Sequence, residues 1–376
     1  MRNSSPRFEK MQRIMAREEI DSILLINPIN VFYVTGFSTI SPSLSSAAII
    51  PYEGEITLIV PKLDETRAKE RSWTEDIRVY QPYPLSLKEN KEKGFFETLK
   101  EALKEKNLES SMIGLELGFL PVKFYEILRN YIPNAGFKDI TRDMMTARMI
   151  KDFNEIDKIK KSLEISEKGL RTAIEIVEPG ISEIDIAAEI ENAIRKAGAQ
   201  KIGFETIVAS GPRSAQPHAT AGTRKINEHE FIIINVSAVF SEYYSDITRT
   251  LFLGTPDDEH KKMFETVNAA LRDAIERVTP GTRVCDIDKA ARKTIHNAGY
   301  ENYFIHASGH GIGLELHEAP QITSNCEDIL RPGMILCIEP GIYVPGKGGV
   351  RIENMVLVTE EGYQILNELP DDIFPL

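Results

Sequence analysis

Val177-Glu178-Pro179-Gly180, followed by Asp185-Ile186, Ile194 and Ala197-Gly198, returns 101 residues later as Val278-Thr279-Pro280-Gly281, Asp286-Ile287, Ile295 and Ala298-Gly299. Identities held at one offset without a gap mark a duplicated unit. Each copy reads alike: a long helix, a Pro-Gly stop, a shorter helix ending in Ala-Gly, then strands. In the first copy Ile156, Ile159, Leu163, Leu170, Ile174 and Val177 form a helical apolar stripe. Asp152 and Glu155 have the spacing of a capping box at its start. Two such units predict a pseudo-symmetric α/β domain with strands inside, helices outside, and a site at the join that draws on both halves.

Upstream of this pair, strand-like runs at 22–26, 47–50, 56–60 and 112–115 alternate with helical patterns at 62–71, 92–106 and 122–131. That alternation predicts a separate α/β layer. The boundary falls near Ile150, giving domains 1–150 and 151–376 in a chain of 376 residues, too long for one ordinary core. No glycine-rich phosphate loop follows these strands, so no nucleotide site is expected. The charge run from Asn90 to Lys106 reads as a solvated helix face.

A net charge of −12 argues against a general nucleic-acid binder. The chain shows no signal-peptide core and no apolar run long enough to span a bilayer. Cys285, Cys326 and Cys337 are scattered, with neither zinc-type spacing nor a disulfide framework. The expectation is a cytoplasmic protein with no membrane or nucleic-acid partner.

Of seven histidines, His306, His310 and His317 fall within twelve residues, in His306-Ala307-Ser308-Gly309-His310-Gly311-Ile312-Gly313 and the following His317-Glu318-Ala319-Pro320. Apolar strand-like runs nearby each carry one polar residue: Asn235 in 231–240, Asp246 in 243–252, Glu339 in 334–341 and Glu353 in 349–356. A turn at Ser241-Glu242 would join the first two runs as a hairpin. Carboxylates crowded together cannot all stay ionised without a cation. The working set is therefore Asn235, Asp246, His310, Glu339 and Glu353 around one or two divalent ions, and oxygens with one imidazole suit Mn, Co, Fe or Zn. Taken singly, each residue has a plainer reading. Arg249 and Arg351 could pair with Asp246 and Glu353, His306 could be a structural histidine, and Cys337 a packing thiol.

The order PHA (217–219), SDITRT (245–250), H-x-x-GHGIG (306–313), HE-x-P (317–320), IEPGIY (338–343) and GVRIEN (349–354) resembles the Xaa-Pro dipeptidase and aminopeptidase P group of pita-bread metallopeptidases, related to creatinase and methionine aminopeptidase. The likeness covers about 152–367 and extends to Asn30-Val31-Phe32-Tyr33-Val34-Thr35-Gly36-Phe37. It implies an N-terminal creatinase-like domain, a catalytic pita-bread domain, a homodimer, and hydrolysis of small Xaa-Pro peptides by metal-activated water. It also implies that Asp246, His310, Glu339 and Glu353 bind metal and that Glu339 is the general base. His218 and His317 would act on the substrate, and Arg351 would meet its carboxylate or brace the glutamates, with His306 nearby. The chain departs from the family pattern at the first ligand, normally an aspartate in D-x-G-A. Here it is Asn235, followed by Ser237 in place of glycine and preceded by His229-Glu230 in place of Gly-Asp. Formal ligand charge falls from −4 to −3, which weakens one metal position. Two other readings stand beside peptide hydrolysis: a creatinase-like cleavage of a non-peptide C–N bond, and a non-catalytic binding protein on the same fold.

Overall fold

The computed structural model describes residues 6–41, 43–83 and 93–372. The chain forms two compact units, Met1–Ala147 and Arg148–Leu376. The first is built on six strands: β1 (Ser22–Leu25), β2 (Ala47–Pro51), β3 (Thr57–Pro61), β4 (Asp76–Tyr80), β5 (Met112–Leu115) and β6 (Gly136–Asp139), in the order β4-β3-β2-β1-β5-β6. In β1, β2, β3 and β5 the runs are short and apolar because both faces are covered, whereas the edge strands β4 and β6 are partly exposed and carry charges. Leu24, Ile49, Ile59, Ile113 and Leu115 share one core with Leu99, Leu103 and Leu128 from the helices. Those helices are α1 (Pro6–Glu18), α2 (Pro28–Thr35), α3 (Glu65–Arg71), α4 (Phe95–Glu105), α5 (Val122–Tyr131) and α6 (Thr141–Met149). Residues 62–64, expected as helix, form a 3-10 turn leading into α3. Asn90 to Glu92, where the charge run begins, lie outside the described residues.

The second unit shows the duplication. Helix α7 (Phe153–Ile176) starts at a capping box: the Asp152 carboxylate accepts from Glu155 N at 2.9 Å, and Glu155 accepts from Asp152 N at 3.0 Å. Its partner is α8 (Glu183–Lys196); the second copy is α9 (Asp258–Ile275) and α10 (Val284–Asn297). The stops are equivalent in detail. Gly180 and Gly281 have φ of 93° and 88°, and Gly198 and Gly299 have 105° and 86°, left-handed positions that glycine adopts without strain. Gly180 N donates to Ile226 O at 2.8 Å, as Gly281 N does to Leu330 O at 2.9 Å. The isolated bridges Ser182↔Lys225 and Arg283↔Ile329 also sit at matching places in the two copies.

Behind these helices lie β7 (Lys201–Ile202), β8 (Ile207–Ser210), β9 (Phe231–Val236), β10 (Ala238–Phe240), β11 (Tyr243–Tyr244) and β12 (Ile247–Phe252) in the first half. The second half has β13 (Gly309–Gly311), β14 (Glu318–Ile322), β15 (Ile335–Ile338), β16 (Gly341–Val344), β17 (Gly348–Arg351), β18 (Asn354–Val358) and β19 (Tyr363–Ile365). The sheets are β11-β10-β7, β12-β9-β8, β14-β13-β15-β18-β19 and β16-β17. Ser241 and Glu242 have φ of 49° and 70°, the pair of positive angles of a two-residue hairpin turn. The expected long strands are not continuous. The first breaks at Ser237 and the second at Ser245-Asp246, so the hairpin tip joins one sheet and its base another. No helix among the described residues is long and apolar enough to cross a membrane.

Candidate active site

The strand breaks create the site. Asn235 is the cross-strand partner of Thr248, and Asp246 lies at the kink where β11 gives way to β12. Glu353 enters from the second half between β17 and β18, its N–H donating to Thr248 O at 3.1 Å. Its carboxylate accepts from Thr248 Oγ1 at 2.7 Å. On the other side, β13 runs between β14 and β15, placing His310 opposite Gln321 and Cys337. Glu339 follows directly on β15, its N–H donating to Ser308 O at 2.9 Å. The two halves thus each contribute residues, as the repeat predicts.

His310 Nδ1–H donates to Gly311 O at 3.0 Å, which leaves Nε2 as a lone-pair donor. Nε2 lies 3.7 Å from Glu339 Oε1 and 4.0 Å from Asp246 Oδ2. Ligand atoms of His310, Glu353 and Cys337 lie within 4.8 Å of one another. Burial drives the charges here. It lowers the His310 pKa against the pull of Glu353, favouring neutral imidazole. It raises Asp246, with further help from the Glu353 and Glu339 charges, and pushes Glu339 up to about 7 against Arg351. Glu353 is also held up by burial and then by Glu339.

One oxygen, Glu353 Oε1, is buried with no hydrogen-bond partner. Such an atom costs free energy unless something meets it. An unpartnered carboxylate oxygen, a free imidazole lone pair and two further carboxylates converge, and a divalent cation is the group this donor set fits. The Cys337 thiol is fully buried, and burial followed by the Glu353 and Asp246 charges raises its pKa, which keeps it protonated and suits the packing role.

Asn235 joins the cluster in an orientation the sequence does not reveal. Its Nδ2 donates to Asp246 Oδ1 at 2.6 Å, Ile247 O at 3.1 Å and Glu353 Oε2 at 3.5 Å. Its Oδ1 accepts from Arg351 at 2.9 Å. The amide therefore faces the acids as a donor and turns its oxygen to a guanidinium. Arg351 also donates to Thr248 Oγ1 at 3.3 Å, Pro217 O at 3.0 Å and Tyr343 Oη at 3.3 Å. Of the two tasks open to it, these bonds describe bracing.

The acids open into a cavity of about 490 Å³ whose lining includes His218, His306, His317, Phe204 and Gln321. His317 packs edge-on to His310 with centroids 4.3 Å apart, and both His218 and His317 are exposed. His306 is fixed: Nδ1–H donates to Ala307 O at 2.7 Å, and Nε2 accepts from Tyr343 Oη at 2.9 Å. Burial lowers its pKa to about 4.

Tyr343, the last residue of IEPGIY, links His306 to Arg351. The only signal for it is strand alternation from Gly341, whose cross-strand partner is Arg351. Glu318 of HE-x-P is likewise structural. It accepts from Lys151 at 3.1 Å and Arg148 at 2.7 Å, and from the backbone of Leu314 and Glu315. It ties down the turn that precedes His317. Arg249 does not pair with Asp246. It donates to the carbonyls of Thr248, Glu353, Leu369 and Pro370 and to Asn354 Oδ1.

The other departures are accommodated locally. Ser237 Oγ donates to Ser245 O at 2.6 Å in the space left by Gly203, where a Cβ would overlap Ser237. His229 holds φ of 61°, a left-handed position, and Glu230 forms a two-bond pair with Arg224 at 2.6 and 2.7 Å.

The model of metallopeptidase family M24 matches residues 157–360, and that of the creatinase/prolidase N-terminal domain matches 7–150. The chain belongs to metallopeptidase family M24. Use of a divalent metal is the family's chemistry, in keeping with the donor set above. The chain is 37% identical to the Xaa-Pro dipeptidase of Pyrococcus furiosus, over 96% of this chain and 97% of that one. It superposes on an Xaa-Pro dipeptidase from Bacillus anthracis with a TM-score of 0.88, at 31% identity, covering 98% of this chain and 99% of that one. An X-Pro aminopeptidase from Thermotoga maritima gives a TM-score of 0.86 at 32% identity, with coverage of 98% and 99%. This M24 member therefore carries both domains of its relatives at nearly full length.

Proposed function

We propose that this M24 member hydrolyses Xaa-Pro bonds in small peptides with one divalent ion held by Asp246, His310, Glu339 and Glu353, its catalytic domain being 151–376. The observation that carries the reading is the unpartnered Glu353 Oε1 among two other carboxylates and the His310 lone pair. A divalent ion bound there supplies Lewis acidity and water that ionises near neutral pH. Mn, Co, Fe and Zn all suit three carboxylates and one imidazole.

Asn235 acts in this reading as a hydrogen-bond donor to Asp246 and Glu353, which is why one ion is proposed instead of two. Glu339 lies at the cavity edge of the cluster and takes a proton from water at Oε1, then returns it to the leaving nitrogen. His218 and His317, exposed on the cavity wall, donate to the substrate carbonyl as it gains negative charge. His306 orients Tyr343, and Tyr343 and Asn235 hold Arg351 behind Glu339. We further assign the protein to the cytoplasm, where its three free thiols stay reduced, and expect a homodimer like others of the group.

The test measures bound metal per chain and assays Xaa-Pro peptides against creatine-like amides, with and without added Mn²⁺ or Co²⁺. Metal-dependent Xaa-Pro cleavage is expected. Metal-free cleavage of creatine-like amides, with no peptide turnover, would overturn it.

A further inference from the structure

The cavity wall is unevenly charged. Glu205, Asp246 and Glu339 line it as acids, and Arg351 is the one Lys or Arg among its described lining residues. Arg351 has little left to offer a ligand. Its side chain makes four N–H bonds to Thr248, Pro217, Tyr343 and Asn235, of the five a guanidinium possesses, and the residue is 3% exposed. His306 is engaged at both ring nitrogens. A bound divalent ion would not reverse the balance, because Glu205, Asp246, Glu339 and Glu353 are four carboxylates against its two positive charges and the one of Arg351.

Gln321 lines the same wall with an uncharged carboxamide. It is the cross-strand neighbour of His310 on β14, so both side chains leave the same face of the sheet. Its Nε2 makes one long bond, 3.3 Å to Glu318 O, which leaves Oε1 and a second N–H to offer a ligand in the cavity it lines.

A free Xaa-Pro dipeptide brings a carboxylate into this space, one residue past the scissile bond. Entering beside Glu205, Asp246 and Glu339, without a free guanidinium or ammonium to meet it, that charge is disfavoured. A peptide that continues past proline, or a proline amide, presents a carbonyl and an N–H instead, which a carboxamide complements on both counts. We propose that the site takes Xaa-Pro substrates whose group after proline is uncharged, extended peptides or amides, in preference to free dipeptides, with Gln321 as the specificity-determining residue. The proposal rests on the Xaa-Pro reading above.

The experiment uses the full chain loaded with Mn²⁺ and compares kcat/KM for Ala-Pro, Ala-Pro-Ala and Ala-Pro amide. The tripeptide and amide are expected to exceed the dipeptide by about tenfold, mainly through KM, the scale of one charge set against like charges without a partner. Prolinamide should inhibit more strongly than proline. Gln321→Arg, which supplies the missing cation, should raise the dipeptide-to-amide ratio of kcat/KM by about tenfold. Glu205→Gln, which removes one acid from the wall, should raise the same ratio by a smaller factor. Dipeptide cleavage equal to or faster than amide cleavage overturns this inference and leaves Xaa-Pro hydrolysis standing. Failure to cleave any of the three overturns both.

Discussion

Asn235→Asp is the substitution that separates a hydrogen-bond donor from a weakened ligand. In the metal-free protein the new carboxylate oxygen would stand where Nδ2 now meets Asp246 Oδ1 at 2.6 Å, Ile247 O at 3.1 Å and Glu353 Oε2 at 3.5 Å. Three acceptors lose their donor and face an acceptor instead. The bonds to charged groups are worth roughly 1.5–3 kcal/mol each, and a stronger ion pair with Arg351 offsets only one of them. The net cost without metal is about 3 kcal/mol, or roughly 6–12 °C in Tm for a domain of this size. Added Mn²⁺ should abolish the deficit, because a fourth carboxylate restores the charge needed for a second ion. Thermal unfolding by circular dichroism, in chelator and in Mn²⁺, gives the first number, and metal analysis after gel filtration gives the second. The parent should hold one ion per chain and the variant two. Equal Tm values in chelator, or two ions already in the parent, would refute the reasoning.

Three further outcomes follow from the same geometry. Glu318→Gln removes the buried counter-charge of Lys151 and leaves Arg148 its pair with the more exposed Glu315, and should cost about 3 kcal/mol. Burial pushes the Glu318 carboxyl up, but Lys151 and Arg148 outweigh it and hold it below its usual 4.5. Its stabilisation is therefore present above pH 4.5 and lost as pH falls below that value, so Tm of the parent should drop more steeply in acid than Tm of the variant. His310→Ala should abolish metal retention while Cys337→Ala leaves stoichiometry unchanged, as elemental analysis will read; loss of the ion in Cys337→Ala would make the thiol a ligand. Gly203→Ala should destabilise by about 1–3 kcal/mol by colliding with Ser237, and Ser237→Gly in the same chain should relieve most of it. A double-mutant cycle by urea unfolding that returns no coupling would mean the two positions do not compete for space.

Features fixed by local chemistry were legible before the structure. Asp152 and Glu155 cap a helix across three residues, Ser241 and Glu242 close a hairpin across two, and the four repeat glycines answer to their own φ. The polar residues in apolar strands converge as a group because burial leaves them few alternatives. Features that depend on distant partners were hidden. Asn235 could be recognised as an amide in a carboxylate position, but the direction of the amide depends on Arg351, over a hundred positions away in the chain. The strand β4 carries Asp76 and Arg78, and β6 carries Lys138 and Asp139, so neither shows an apolar run. The break at Ser237 was hidden by the apolar Val236 and Ala238 on either side, and that at Ser245-Asp246 by strand-forming Tyr243-Tyr244 before it and Ile247 after it.

Arg249 has a bearing on where this catalytic unit ends. The match to the family model ends at residue 360. The guanidinium behind Glu353, however, is bonded to the carbonyls of Leu369 and Pro370, and Glu167 in α7 receives the N–H groups of Glu368 and Leu369. Those last residues are a clasp from the first helix of the domain to the back of its acid cluster. A chain cut at residue 360 would keep Asp246, His310, Glu339 and Glu353 and still strand the buried Arg249 cation beside them. The stretch that carries the ligands and the stretch that must be physically present to hold them in place are therefore not the same length.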